Sequence, residues 1–354
     1  MKRNKLSVFI LLVFALIFAS GCSLIPTSSA QYGTSPTETE ARARQIAKNN
    51  VNAVVSVVIE NSLGSQISLG SGVGIYSGGY IATNYHVIQN TLTTTSLTIK
   101  IYQNNSEQAY NAEVLWHSEP LDLAILKSEG ENLPFVKMQD RFIYASNSER
   151  LQVLETVIAI GTPLDMSLQN TITLGYIAST NYRISTTTDG SLYEHLIQHT
   201  APINHGNSGG ALFDINGKLI GLNTLGIDDA NSLFFAVPIY PITAIIEKVV
   251  AGYNIGVPYA IARLGITAAD RYQSSLINEK GMYVDSVSET SYVYDVLFEG
   301  DVIVEITTQN KTFDIDVRND LIYALLNSES ESTISAKVKR DGNIINLSLN
   351  LMWG

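Results

Sequence analysis

The chain has 354 residues, with 33 acidic side chains against 22 basic ones and a formal net charge of −11. Phosphate backbones repel a protein with that balance, which argues against nucleic acid as a partner. The length suits about two domains, and a single cysteine excludes an intrachain disulfide, so stability must come from core packing.

Lys2, Arg3 and Lys5 precede an apolar run from Val8 to Ala19, which closes on Ala19-Ser20-Gly21-Cys22. This is the layout of an export signal, and the run falls short of the roughly 20 apolar residues that span a bilayer. The closing word resembles a bacterial lipobox. That resemblance implies a signal peptide over residues 1–21, lipid attachment at Cys22 and a membrane-tethered lipoprotein outside the cytoplasm, on the cell membrane or the outer membrane. Residues 22–40, rich in Ser, Thr, Pro and Gly, read as a flexible tether.

A helix is expected from Thr37 to Lys48. From Asn52 onward short β-branched and aromatic runs alternate with Gly, Asn, Ser and Asp; the clearest are 54–59, 80–83, 96–102, 123–126, 156–160, 171–177 and 218–222. Many short strands with turn signals between them indicate a barrel or sandwich. A second helix is expected from Ile239 to Val250. A domain boundary near Tyr253 then separates residues 41–252 from a second strand-rich region, 253–354.

The chemistry starts at Gly206-Asn207-Ser208-Gly209-Gly210, where the glycines allow positive φ and close backbone approach to a substrate. Ser208 is the candidate nucleophile. Taken alone, such a string is more often a tight turn with an incidental serine, so it needs partners. Thr83-Asn84-Tyr85-His86-Val87 places a histidine just after a strand, where imidazole can take a serine proton. Leu121-Asp122-Leu123-Ala124-Ile125-Leu126 places an acid at the head of an apolar strand, where it can fix the histidine tautomer.

The order His86, Asp122, Ser208 resembles the chymotrypsin superfamily, and the surrounding words resemble its HtrA/Deg branch. Gly70-Ser71-Gly72-Val73-Gly74, Thr83 to Val87, Asp122 to Lys127 and Gly206 to Phe213 each match family segments, joined by Ile158 to Pro163 and Phe235 to Ile239. The resemblance covers most of Asn52 to Val250. It implies a mostly β fold, a chymotrypsin-like double β-barrel followed by a PDZ-like α/β domain. It also implies a serine endopeptidase acting on unfolded proteins or peptides in envelope quality control. Ser208 would attack the peptide carbonyl, His86 would pass the proton to the leaving amine, and the N–H groups of Gly206 and Ser208 would form the oxyanion hole. Asn223, Thr224 and Leu225 would form the substrate-facing edge. Pro202 stands six residues before the nucleophile, where a trypsin-like enzyme carries its pocket aspartate, so cleavage after aliphatic rather than basic residues is expected. The chain departs from the family at Thr200, usually acidic, and at His205, usually proline or arginine. Family members are often trimers, so a homotrimer is expected by resemblance alone.

The polar stretch Arg183 to Glu194 reads as a loop, and by resemblance as a sensor that helps the Asn204 to Ser208 turn become competent. In the C-terminal region Arg263-Leu264-Gly265-Ile266 resembles the carboxylate-binding loop of PDZ domains, followed in order by Lys280 to Val284, Glu299 to Ile306 and Val338 to Gly342. Leu264, Gly265 and Ile266 would hold the terminal carboxylate of hydrophobic C-terminal peptides through backbone N–H groups. The tyrosines and valines of 291–298 depart from the PDZ pattern.

Two rival readings come from other classes. His195 and His199 have the i, i+4 spacing of a metallopeptidase helix, but the glutamate is missing and the flanks read as a strand. A non-catalytic holdase or peptide-binding scaffold that kept the protease fold is the alternative; its support is Thr200 and His205. No metal site and no cofactor are expected.

Overall fold

The structure, a computed structural model, describes residues 37–103, 106–139, 150–184, 193–226, 233–252, 264–270, 279–309, 311–329 and 332–352. The leader, Cys22, most of the tether, Tyr253 and Arg263 lie outside the described residues. The chain divides into Met1–Ala41 and Arg42–Gly354, and the second unit holds all the sheets.

Helix α1 (Glu38–Asn50) begins with a reciprocal capping pair. The Thr37 N–H donates to Glu40 Oε2 at 2.8 Å, and the Glu40 N–H donates to Thr37 Oγ1 at 3.2 Å. Its C-terminal part buries Ile46 and Ala47. The first barrel follows: β1 (Val54–Glu60), β2 (Gln66–Tyr76), β3 (Tyr80–Thr83), helix α2 (Tyr85–Thr93), β4 (Thr98–Tyr102), β5 (Ala109–Ser118) and β6 (Leu123–Ser128). Its strands close in the order β1-β2-β3-β6-β5-β4. β1 is apolar on both faces apart from Ser56 and the terminal Glu60, because both its faces are covered. Val55, Val57 and Ile59 fill the first barrel's own cluster, while Val54 joins the cluster shared with the second barrel.

β2 is absent from the expected strands because its Gly70, Gly72 and Gly74 read as turn signals. The barrel uses glycine there for space: a Cβ on Gly74 would sit 2.1 Å from the Pro134 carbonyl oxygen. Helix α2, which carries His86, is likewise absent from the sequence reading.

The second barrel comprises β7 (Thr156–Gly161), β8 (Thr171–Ile184), β9 (Tyr193–His199), β10 (Ala211–Asp214), β11 (Leu219–Gly226) and β12 (Phe234–Pro238), closed in the order β10-β11-β12-β9-β8-β7. The expected double barrel is thus present. The expected loop 183–194 is shorter at both ends, since Arg183 and Ile184 finish β8 while Tyr193 and Glu194 begin β9; residues 185–192 lie outside the described residues. His195 and His199 lie on β9, where four residues span about 13 Å, so the two rings do not converge as they would on a helix.

Helix α3 (Tyr240–Val250) ends the second barrel. The remaining sheet holds β13 (Ile266–Ala269), β14 (Met282–Val287), β15 (Val302–Thr307), β16 (Thr312–Asp314), β17 (Thr333–Arg340) and β18 (Asn343–Asn350), with helix α4 (Arg318–Leu326) before β17. Its order is β13-β14-β15-β17-β18, so β13 is an edge strand among the described residues. α4 meets α3 through an edge contact of Tyr240 and Tyr323 at 5.2 Å, and Lys248 of α3 donates from Nζ to the carbonyl of Ser328, just past the end of α4, at 3.2 Å.

Candidate active site

His86 is the second residue of α2, and Asp122 stands in the turn before β6. His86 Nδ1 lies 2.9 Å from both carboxylate oxygens of Asp122, and the His86 backbone N–H donates to Asp122 Oδ1 at 3.0 Å. Asp122 is 2 % exposed. Partial burial pulls the His86 pKa down, but the charge of Asp122 and its hydrogen bond to the ring outweigh that, so the imidazole titrates above its ordinary value.

The second barrel supplies the rest. Thr224, on β11, donates its hydroxyl to Asp122 Oδ2 at 2.7 Å, and its carbonyl accepts the Ser208 hydroxyl at 2.6 Å. One residue therefore links the acid to the serine across the two barrels. Ser208 Oγ makes no hydrogen bond to His86 among the described residues; its hydroxyl is parked on Thr224. Thr224 and Asn223 were both expected as substrate-facing, yet both side chains are buried. The Asn223 amide donates to the Ala211 carbonyl at 2.9 Å. The Asn223 backbone is engaged as well, its N–H donating to the Gly210 carbonyl and its carbonyl accepting the Gly209 N–H, both at 2.8 Å, so what this edge can offer a substrate from those two positions is the backbone of Thr224. The Leu225 side chain lies outside the described residues.

The loop around the nucleophile is clamped by Ser71, a residue of the Gly70 to Gly74 word whose role the sequence did not reveal. The Ser71 N–H donates to the Ser208 carbonyl at 2.7 Å, and Ser71 Oγ donates to the Gly206 carbonyl at 2.7 Å while accepting the Thr162 N–H at 2.9 Å. Gly209 and Gly206 are irreplaceable for steric reasons. A Cβ on Gly209 would fall 2.1 Å from the Ser71 carbonyl oxygen, and one on Gly206, whose φ is +92°, would fall 2.3 Å from that of Thr162.

The Leu164 N–H donates to the His205 carbonyl at 2.6 Å. A trans peptide points its N–H opposite its C=O, so this bond turns the Gly206 N–H the other way. Neither the Gly206 N–H nor the Ser208 N–H has a partner among the described residues. The two orphan donors are where an oxyanion hole would need them in sequence.

His205 is exposed, and among the described residues only its carbonyl is engaged. Thr200 exchanges two bonds with β8: its N–H donates to the Tyr176 carbonyl and its Oγ1 accepts the Tyr176 N–H, both at 3.0 Å. The Pro202 carbonyl accepts the Thr173 hydroxyl at 2.9 Å. These contacts anchor the approach to the nucleophile on the second barrel. His195 is held by Asn181, whose Oδ1 is 2.7 Å from Nδ1, and by Asp320 of α4, whose Oδ1 is 3.0 Å from Nε2. In the third sheet Leu264 is fully buried, Gly265 has φ +64°, and Ile266 opens the edge strand β13.

Residues 70–222 match the trypsin-like peptidase domain family. The chain is 29% identical over 286 residues to "Serine protease Do-like HtrB" of Bacillus subtilis, covering 76% of this chain and 59% of that protein. It is 32% identical over 297 residues to "Probable periplasmic serine endoprotease DegP-like" of Rickettsia conorii, covering 80% and 54%. It is also 32% identical over 299 residues to "Serine protease Do-like HtrA" of Lactococcus lactis subsp. lactis, covering 78% and 68%. Among solved structures, the serine endoprotease from Yersinia pestis is similar with a TM-score of 0.57 and 26% identity, over 91% of this chain and 100% of that one. The chain spans little more than half the length of the first two relatives, 59% and 54%.

Proposed function

The chain belongs to the HtrA family of trypsin-like serine proteases, and on that footing we propose that it is a serine endopeptidase with Ser208 as nucleophile, His86 as general base and acid, and Asp122 as the orienting carboxylate. The observation that carries this reading is Thr224, which joins Asp122 and Ser208 by hydrogen bonds of 2.7 and 2.6 Å. On this reading the Ser208 hydroxyl leaves the Thr224 carbonyl for His86 when substrate binds, as catalytic hydrogen bonds often tighten only then. The freed carbonyl then accepts an N–H from an extended substrate strand. Ser208 Oγ adds to the scissile carbonyl as His86 takes its proton, and the negative oxygen is met by the N–H groups of Gly206 and Ser208. His86 returns the proton to the leaving amine, and water releases the acyl group by the same steps.

Substrates are unfolded or peptide segments, cut after aliphatic residues, as the uncharged Pro202 position suits. The edge strand β13, entered through the left-handed Gly265, supports a PDZ-like module that adds a hydrophobic C-terminal peptide as a further strand. The basic and apolar leader with Cys22 supports a lipid-anchored protein outside the cytoplasm, and Cys22→Ser should then move it from the membrane to the soluble fraction.

Casein cleavage by residues 31–354, compared with Ser208→Ala, tests the central reading. Loss of cleavage with an unchanged circular dichroism spectrum is expected. A wild-type protein that binds casein without cutting it and takes no label from a serine-directed phosphonate would instead be a holdase.

A further inference from the structure

Asn84 is the N-cap of α2, with extended φ and ψ of −78° and 148°, yet its side chain makes no capping hydrogen bond. Asparagine is among the strongest N-capping residues because its side-chain oxygen satisfies the N–H groups of the first turn. Here the carboxamide crosses to the neighbouring turn instead, and Nδ2 donates to the Asp122 carbonyl at 2.9 Å. The amide orientation is unambiguous, since the reverse would set two acceptors against each other. Asn84 is fully buried, and its Oδ1 has no hydrogen-bond partner among the described residues.

Asp122 explains the arrangement. Its φ is +49°, a left-handed backbone that side-chain-bearing residues adopt at a steric cost. That conformation turns its carbonyl into the protein interior, where an unpaired acceptor is unfavourable, and Asn84 is the one donor this carbonyl has among the described residues. The Asp122 carboxylate meanwhile accepts the His86 N–H, in the first turn of α2, at 3.0 Å. The two residues have exchanged duties: Asp122 serves as the helix cap, and Asn84 holds the backbone of Asp122.

We propose that Asn84 is a positioning residue of the active site, which keeps Asp122 in its left-handed conformation and so aligns the carboxylate beneath His86. The proposal rests on the triad reading above. Any loosening at Asp122 passes to His86, because Asp122 is the only titratable group bonded to that ring among the described residues.

The test compares wild type, Asn84→Ser and Asn84→Ala by urea unfolding and by pH–rate profiles with a short peptide substrate, with rates taken per native molecule from near-UV circular dichroism. A serine hydroxyl is too short to reach the Asp122 carbonyl, but it can make the capping bond that Asn84 does not make and so offset the lost one, which alanine cannot do. Asn84→Ser should therefore unfold close to the wild-type midpoint, while kcat falls on the order of 10–10²-fold with KM nearly unchanged. The acidic limb of kcat/KM should move to lower pH, because a misaligned carboxylate supports the imidazolium less. Asn84→Ala should show the same limb shift with a lower urea midpoint. Wild-type kcat and limb in Asn84→Ser, or a kcat loss with the limb unmoved, overturns the proposal. Ser208→Ala, run alongside, separates the two readings: retained cleavage there defeats the triad itself, whatever the Asn84 variants do.

Discussion

The Thr224 hydroxyl of the second barrel donates to Asp122 Oδ2 of the first at 2.7 Å, inside a region closed to solvent. A hydrogen bond to a buried carboxylate is charge-assisted, and it holds in place the oxygen that also faces the His86 ring.

Thr224→Val keeps the shape and removes the donor. The variant should fold, lose about 1.5–3 kcal/mol at the carboxylate and cleave more slowly through kcat, whereas Thr224→Ser should retain most of the wild-type rate. Equal rates in all three proteins would show that Asp122 needs no support from the second barrel.

The raised pKa of His86 sets the pH response. General base catalysis needs the neutral ring, so kcat/KM should climb with pH through a midpoint above 6.5, the ordinary histidine value. The linkage has the matching sign. A pKa higher in the folded state stabilises the fold below the unfolded pKa, and that contribution is lost as pH rises through the folded value. A pH–rate profile of the isolated enzyme with its acidic midpoint below 6.5 would contradict the Asp122 contact.

His199 has the opposite sign. It is fully buried on β9, and burial pushes its pKa down to about 4, with the backbone of Phe235 and Ala201 offsetting only part of that. A depressed histidine contributes stability that is present above about 6.5 and is lost as pH falls towards 4, because the unfolded chain takes up the proton first; the full loss is about 3 kcal/mol. Urea unfolding at a series of pH values should show this slope in wild type and a flatter one in His199→Leu. Parallel slopes would remove His199 from the account.

Gly265 tests the third sheet. With φ +64° and a Cβ position 2.5 Å from the Ser291 Cβ, Gly265→Ala must distort the entry to β13. Binding of a labelled hydrophobic peptide with a free C-terminal carboxylate, followed by fluorescence anisotropy, should weaken at least tenfold, while cleavage of a short peptide stays at the wild-type rate. Unchanged binding in Gly265→Ala, or equal binding of the C-terminally amidated peptide, would argue against a carboxylate loop.

Much of this protein is written locally and could be read from the chain. Strand periods, turn residues and the words around His86, Asp122 and Ser208 lie within a few residues of one another, and local rules of φ, ψ and side-chain pattern govern them. A barrel or sandwich and the three candidate catalytic positions were legible for that reason, while the double barrel was implied by the family resemblance. Strand β2 was not, because glycine has one meaning in a turn and another beside the Pro134 carbonyl, and only the packed neighbour distinguishes them. The supporting contacts were hidden by distance along the chain. Ser71 clamps Gly206 from 135 residues away, Thr224 reaches Asp122 across 102, and Asn84 reaches it across 38. Hydrogen bonds of that span follow from barrel closure rather than from any local preference. Asn84 makes the division plain: its sequence position says helix cap, and only the tertiary structure, by setting a left-handed aspartate carbonyl within 2.9 Å, gives its amide a different partner.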